Sequence, residues 1–175
     1  LRWLERAKAQ GENWRYVCFN RPLADALRST LPELKSRIST FHELAIAALR
    51  RQQPDVPLDF SKPDTFSTAV DALAEDMTWM VGIDGVLIDE AVDLRSDWFS
   101  ALHQKAPSNM KWLLLLDHDQ QAHPHAPDSE RVWWQSQLPQ AVRFASQDNF
   151  RSPRALVDVI NPFHLADSPV YARHP

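Results

Sequence analysis

Two adjacent acids, Asp89 and Glu90, follow the short apolar run "GVLI" at residues 85–88, and a third acid, Asp93, comes soon after. An apolar run of this length, bounded by a glycine and by acids, predicts a buried strand. Acids at the end of a buried strand can hold a hard cation such as Mg²⁺, or one of them can activate a water molecule. The alternative is structural, because Asp89 or Asp93 can simply cap the segment that follows.

These acids must be positioned by the secondary structure around them, and predicted strands and helices alternate along the chain. The predicted strands are "WRYVCF" (14–19), "RIST" (37–40), "GVLIDE" (85–90), "KWLLLLD" (111–117) and "AVRFAS" (141–146). The pattern Thr40-Phe41-His42-Glu43 is a capping box that opens a helix to about Arg51, and 65–81 has the spacing of another helix. Runs such as "VLI" and "WLLLL" are apolar without alternation, as in strands buried on both faces. We therefore predict an α/β fold, a parallel β-sheet with helices on both faces.

Acids follow two of the apolar strands, Asp89 and Glu90 after "VLI" and Asp117 after "WLLLL". In an open parallel sheet, ligands bind beyond the carboxyl ends of the strands, so these acids should share one edge. A magnesium ion bound to phosphates would explain why carboxylates gather there.

Composition and charge exclude several classes of protein. The 175 residues carry a net charge of −4, but residues 1–53 have ten Lys and Arg against five Asp and Glu. This basic third could face phosphates, or it could be an ordinary solvated helix surface. One cysteine, Cys18, excludes an internal disulfide and a multi-cysteine zinc site, and favours a reducing, cytoplasmic setting. No apolar run approaches the ~20 residues of a membrane span, so we expect no membrane partner.

Five segments in a defined order carry a family resemblance. They are "CFNRPLADAL", "STFHEL", "VLIDEAVDL", "LLLLDHDQQ" and "DNFRSPRALVDVIN". Together they resemble the UvrD/Rep-like superfamily I DNA helicases over about residues 1–165. The resemblance implies that 1–175 is a partial RecA-like ATPase domain of the P-loop NTPase type, with a short helical insertion at 45–84. It also implies a parent protein that couples hydrolysis of ATP, with Mg²⁺, to movement on single-stranded DNA, with further helicase domains as partners.

The same resemblance assigns roles at the expected ATP site. Asp89 matches the residue that coordinates magnesium, and Glu90 matches the catalytic base. Gln120 matches a residue that senses the terminal phosphate, and Arg151 matches an arginine that contacts the phosphates. A cation, a base, a polar sensor and a guanidinium are the groups that phosphoryl transfer uses.

Two further segments resemble those that contact single-stranded DNA in the family. They contain Phe19, Asn20, Thr40, Phe41 and His42. An aromatic ring can stack on a base while the hydroxyl, amide and imidazole groups reach phosphates. Each residue also has a structural interpretation, because Thr40 can be a helix cap, Phe19 a core residue and His42 an ordinary surface histidine.

The chain also departs from the family. The loop Gly-x-x-x-x-Gly-Lys-Ser/Thr, which cradles phosphates, is absent from a chain with only three glycines. We expect that loop just upstream of Leu1 in the parent, and we expect the chain alone to be inactive. Val92 stands where the family has a glutamine that links the ATP site to DNA. The alternative function is a non-catalytic, degenerate helicase-like scaffold or DNA-docking module.

A histidine-rich segment, "DHDQQAHPHAPD", contains side chains of the types that bind transition metals. It contains His118, His123 and His125 together with Asp117 and Asp119. The spacing matches no compact metal site, and the prolines within it favour a polar surface loop.

Overall fold

The structure, a computed structural model, describes residues 2–55, 57–59, 61–62, 64–116, 133–144, 148–149 and 171–172. The chain divides into two compact units, 1–133 and 134–175. The first unit contains α1 (Arg2–Ala9), β1 (Trp14–Cys18), α2 (Arg21–Thr30), a 3₁₀ helix (Pro32–Arg37), β2 (Ile38–Thr40), α3 (Phe41–Gln52), α4 (Asp64–Glu75), a 3₁₀ helix (Met77–Met80), β3 (Gly85–Ile88), a 3₁₀ turn (Ala91–Asp93), α5 (Ser96–Lys105) and β4 (Lys111–Leu114).

The described strands of the first unit form a four-stranded sheet in the order β2-β1-β3-β4, and every pairing is parallel. The prediction of an α/β fold with a parallel sheet is therefore confirmed. β1 connects through α2 to β2 on one side, whereas β3 connects through α5 to β4 on the other side. Because such crossovers are right-handed, the two helices cover opposite faces of the sheet. The direction of winding reverses between β1 and β3.

Alternation along the strands distributes side chains to the two faces. On one face, Tyr16 and Cys18 of β1 and Leu87 of β3 belong to a cluster that also contains Leu4 of α1 and Ala24 of α2. These five residues are almost completely buried. The cluster therefore holds α1 and α2 against the sheet.

On the other face of the sheet, α5 packs against β4, and α3 and α4 lie in the same helical layer as α5. The ring of Phe99 in α5 is fully buried and meets the ring of Trp112 in β4 edge to face, with 5.3 Å between the ring centroids. α4 contributes apolar side chains such as Val70 and Leu73, which are also buried. α4 contacts both of the other helices, so the three form one layer.

The segment that joins β2 to β3 is helical, and its first helix begins as predicted. The hydroxyl of Thr40 accepts a hydrogen bond from the backbone N–H of Glu43, and the Glu43 carboxylate accepts one from the backbone N–H of Thr40. This is the predicted capping box. The helix predicted over 65–81 ends earlier, at Glu75, and a 3₁₀ helix follows because Asp76 caps it by accepting from the N–H of Thr78.

The second unit is described in short pieces. A helix covers Trp133–Gln137, and the short strands β5 (Asp148–Asn149) and β6 (Tyr171–Ala172) pair in parallel. The guanidinium of Arg143 lies over the ring of Trp134, at 4.8 Å from its centroid. The strand predicted over 141–146 is wrong in its described part, since residues 141–144 form no strand. Alternating apolar residues at 142 and 144 suggested pairing, but both side chains are exposed.

None of the described helices combines the length and the apolar character that a membrane span requires.

Candidate functional site

The paired acids lie where the winding of the sheet reverses. β1 and β3 are neighbours, with Val17 opposite Ile88, so Asp89 follows β3 beside the carboxyl end of β1. The backbone N–H of Asp89 donates to the carbonyl of Val17 at 2.8 Å, which extends the pairing of the two strands to the first acid. In open α/β sheets the crevice at such a reversal is the usual place for a ligand. The predicted site residues Asp89 and Glu90 therefore occupy the expected edge.

Glu90 has an unusual backbone conformation. Its φ of 54° and ψ of 42° lie in the left-handed region, and no other non-glycine residue in the described ranges has a positive φ. A side chain with a Cβ atom disfavours this region. Hydrogen bonds around it hold the turn: the N–H of Ala91 donates to the carbonyl of Leu115 at 2.9 Å, and the N–H of Asp93 donates to the carbonyl of Glu90 at 3.0 Å. The surrounding sheet therefore stabilises a conformation that glutamate rarely adopts alone.

The carboxylate of Asp89 is held by two donors. The backbone N–H of Glu90 donates to Oδ1 at 3.1 Å, and the phenol hydroxyl of Tyr16 donates to Oδ2. Tyr16 is only 4% exposed. Burial, and then the hydrogen bond to Asp89, raise the pKa of the Tyr16 phenol well above its usual range, so the phenol remains a donor. Sequence reasoning missed Tyr16, although a buried strand tyrosine signals that its hydroxyl needs a partner.

Asp89 and Glu90 have the chemistry that a magnesium ion requires. Both residues are half-buried, and no Lys or Arg among the described residues forms an ion pair with Asp89. Each oxygen of Asp89 accepts one hydrogen bond and keeps a second lone pair. No group of three or more His, Cys, Asp or Glu side chains that could hold a metal occurs in the described ranges. Two acids suit Mg²⁺, which retains several waters and commonly takes one or two carboxylates plus phosphates.

Several of the predicted functional residues lie outside the described residues. They are Gln120 and Arg151 at the expected phosphate site, and Asp117, His118, Asp119, His123 and His125 in the histidine-rich segment. Their predicted roles remain predictions.

Two of the residues predicted to contact DNA also cap helices. Thr40 is 2% exposed, and its hydroxyl is used in the capping box of α3. Asn20 is exposed, and its Oδ1 accepts from the backbone N–H of Leu23 at 3.1 Å at the start of α2. The Asn20 cap uses the side-chain oxygen and not the two donors of the side-chain NH₂. Asn20 is therefore better able than Thr40 to contact a ligand.

The aromatic residues predicted to contact DNA come together at the same sheet edge. We call the group the edge aromatic cluster, and its members are Phe19, Phe41, His42, Phe66 and Trp98. Phe41 is 1% exposed and lies at the centre, stacked at 5.3 Å on Phe19 and at 5.6 Å on Trp98. Phe66 and Trp98, from the first turns of α4 and α5, were missed by sequence reasoning because nothing in the local pattern distinguishes them from core aromatics.

The outer side of the cluster combines rings with polar groups. The imidazole of His42 is exposed on one side and stacks on Phe66 with 4.3 Å between centroids. Burial of its inner side lowers the pKa of His42, so the ring is neutral at pH 7. The guanidinium of Arg95 lies 5.1 Å from the centroid of Trp98 and pairs with Asp97 at 2.8 Å. The cluster therefore combines aromatic rings with a guanidinium–carboxylate pair at one edge of the sheet.

No protein-family model matches the chain, and no curated protein is significantly similar to it in sequence. The helicase resemblance therefore rests on the five motifs in their order.

Proposed function

We propose that the chain is part of the first RecA-like motor domain of a UvrD/Rep-like DNA helicase. The observation that carries the proposal is the position of Asp89 and Glu90 at the carboxyl edge, between β1 and β3, where the sheet changes its direction of winding. The parent protein would couple hydrolysis of Mg²⁺–ATP to movement along single-stranded DNA. The cytoplasm is the compartment that we propose for it.

The proposal gives the two acids different tasks. Asp89, with its carboxylate held by two donors, would hold the magnesium ion directly or through water. Magnesium, when bound, would neutralise charge on the phosphates of ATP. Glu90 would orient the attacking water and accept its proton. Gln120 and Arg151 would contact the terminal phosphate, as the resemblance implies.

The edge aromatic cluster supports the part of the proposal that concerns DNA. Phe19 and His42, which the motifs assign to DNA contact, are in ring contact at 6.2 Å. Phe66 and Trp98 extend the aromatic surface from two other helices. Stacking of bases on aromatic side chains does not depend on sequence, and it suits a protein that moves along a strand.

A non-catalytic, helicase-like module that docks on DNA is the second candidate. It is favoured by Val92, a half-buried apolar side chain in the turn directly after the acids, where the family has a polar glutamine. Such a module would keep the aromatic surface and lose the coupling to ATP.

Two measurements test the proposal. Fluorescence anisotropy of a labelled oligothymidine should show saturable binding to the chain. Trp98→Ala and His42→Ala should each weaken that binding severalfold, and the wild type should bind duplex DNA more weakly than the oligothymidine.

The chain alone should hydrolyse no ATP, whereas a longer chain carrying the phosphate loop should hydrolyse it in the presence of DNA. Glu90→Gln in that longer chain should abolish turnover and spare nucleotide binding.

The outcomes separate the candidates. Binding of the oligonucleotide without turnover in the longer chain would favour the docking module. Retained turnover in Glu90→Gln would reject Glu90 as the base, and clear ATPase activity of the chain alone would refute the need for a missing phosphate loop.

A further inference from the structure

Tyr16 and Asp89 are joined by a hydrogen bond although 73 residues separate them in sequence. The register of the sheet explains the contact. Tyr16 lies opposite Leu87 in β3, so Asp89 is two residues further toward the carboxyl edge, about 7 Å along the strand. A tyrosine that leans along its strand carries its hydroxyl about that distance from its Cα atom.

Packing fixes the ring that carries this hydroxyl. Tyr16 belongs to the buried cluster on the face of the sheet covered by α1 and α2. It lies between Ile38 of β2 and Leu87 of β3, which are 1% and 2% exposed. A ring enclosed in this way cannot swing away from the sheet, so the position of its hydroxyl is defined by the core rather than by solvent.

The two donors to Asp89 act on different oxygens. Glu90 holds Oδ1 through its backbone N–H, and Tyr16 holds Oδ2 through its hydroxyl. One donor would leave the carboxylate free to rotate about its Cβ–Cγ bond, whereas two donors fix its plane. In metal sites, partners of this kind orient the ligand and set its affinity for the ion.

We propose that Tyr16 is a positioning residue that sets the orientation of the Asp89 carboxylate toward a divalent cation. This inference rests on the proposed function, because it assigns Asp89 as the residue that holds magnesium. Tyr16 itself does not touch the ion. Its contribution is to present the outward lone pairs of Asp89 in one fixed direction, so that less conformational freedom is lost when the ion arrives.

The test uses the whole chain and Mn²⁺ alone, titrated to millimolar concentration and followed by the loss of the free-ion signal in electron paramagnetic resonance. Asp89→Asn should abolish the binding seen in the wild type. Tyr16→Phe, which removes only the hydroxyl, should weaken binding about tenfold. In the Asp89→Asn background, Tyr16→Phe should have no further effect. The matched control is Leu34→Ala, which disturbs the same cluster from the 3₁₀ helix rather than from the strand residues that enclose Tyr16, and should leave the affinity for Mn²⁺ unchanged.

A second measurement does not depend on a folded Tyr16 variant. The chain contains two tyrosines, Tyr16 and Tyr171, so incorporation of 3-fluorotyrosine gives two ¹⁹F resonances. Saturating Mg²⁺ should shift the resonance of Tyr16 in the wild type and leave it unshifted in Asp89→Asn.

The outcomes separate the role of Asp89 from the role of Tyr16. Equal binding of Mn²⁺ by the wild type and by Asp89→Asn would overturn the metal role of Asp89, and the proposed function with it. Binding that requires Asp89 but is unchanged in Tyr16→Phe, or equally weakened in Leu34→Ala, would overturn the role of Tyr16 alone. A Tyr16 resonance that does not respond to Mg²⁺, in a chain that binds Mn²⁺ through Asp89, would overturn it as well.

Discussion

The guanidinium of Arg28 in α2 donates to both carboxylate oxygens of Glu43 in the first turn of α3, at 3.2 and 2.5 Å. The Arg28 and Glu43 side chains are 18% and 29% exposed, so solvent screens the pair only partly. The same carboxylate completes the capping box with Thr40. One glutamate therefore ties two helices together at the edge of the sheet that carries the acids.

Glu43→Gln should lower the free energy of unfolding at pH 7 by about 1–3 kcal/mol, because Arg28 loses the less exposed of its two carboxylate partners and keeps only Asp25. The hydrogen bond from Arg28 lowers the pKa of Glu43 below its ordinary value of 4.5. The stabilisation is therefore complete above that value and disappears as pH falls through the lower pKa of the folded state. Urea denaturation of the wild type and of Glu43→Gln from pH 7 to pH 3 should show that the difference between their free energies of unfolding shrinks. Asp97→Asn, which removes the exposed pair with Arg95, is the control and should change little at any pH.

Glycine should suit position 90 better than alanine. Because the backbone of Glu90 is left-handed, a Cβ atom there costs about 1 kcal/mol. Glu90→Gly should therefore be more stable to urea than Glu90→Ala by roughly that amount. Asp93, whose backbone lies in the adjoining 3₁₀ turn, is the control. There the alanine variant should be more stable to urea than the glycine variant. Equal stability of the two variants at position 90 would show that the backbone is not strained there.

Gly85→Ala should destabilise the sheet. A Cβ atom added at Gly85 would lie 2.6 Å from the ring of Trp14. That ring is 3% exposed and is held by an edge contact with Trp3 and by a hydrogen bond from its Nε1 to Glu12 at 2.7 Å. The expected loss is about 1–3 kcal/mol in the free energy of unfolding. In a Trp14→Leu background the same change should cost much less, and an undiminished cost would mean that the ring is not the obstacle.

Asn20 allows its two predicted roles to be separated. Asn20→Asp keeps an acceptor for the N–H of Leu23 and should leave thermal stability nearly unchanged, whereas Asn20→Ala should cost about 1 kcal/mol. If the side-chain NH₂ contacts a phosphate, both variants should bind a labelled oligothymidine more weakly than the wild type does. Wild-type affinity in Asn20→Asp would assign Asn20 to capping alone.

The sequence predicts the sheet better than it predicts the site. Apolar runs such as "VLI" and "WLLLL" identify strands because burial on both faces removes the polar alternation. "KWLLLLD" nevertheless forms a strand only to Leu114, since the run does not encode where pairing with β3 stops. The left-handed backbone of Glu90 was not predicted because glutamate carries no preference for it. It arises from neighbouring strands that fix both ends of the turn.

The sequence also did not predict side-chain contacts between segments that are far apart along the chain. Tyr16 and Asp89 belong to different strands, and their hydrogen bond depends on a register that the sequence does not specify. Phe66 and Trp98 reach the edge aromatic cluster through the packing of α4 and α5. Helical periodicity places such residues on an inner face, but it does not indicate at which edge of the sheet they gather.

The strand order β2-β1-β3-β4 has a consequence for how the chain acquires its structure. β1 and β2 are close in sequence, so their pairing closes a short loop. The pairing of β1 with β3 closes a loop of about 70 residues, which costs more conformational entropy. We expect residues 14–40 to form the earliest stable pairing and the junction of β1 with β3 to form late. The turn that carries Asp89 and Glu90 would then be among the last parts to assemble during folding, and among the first to unfold when β1 and β3 separate.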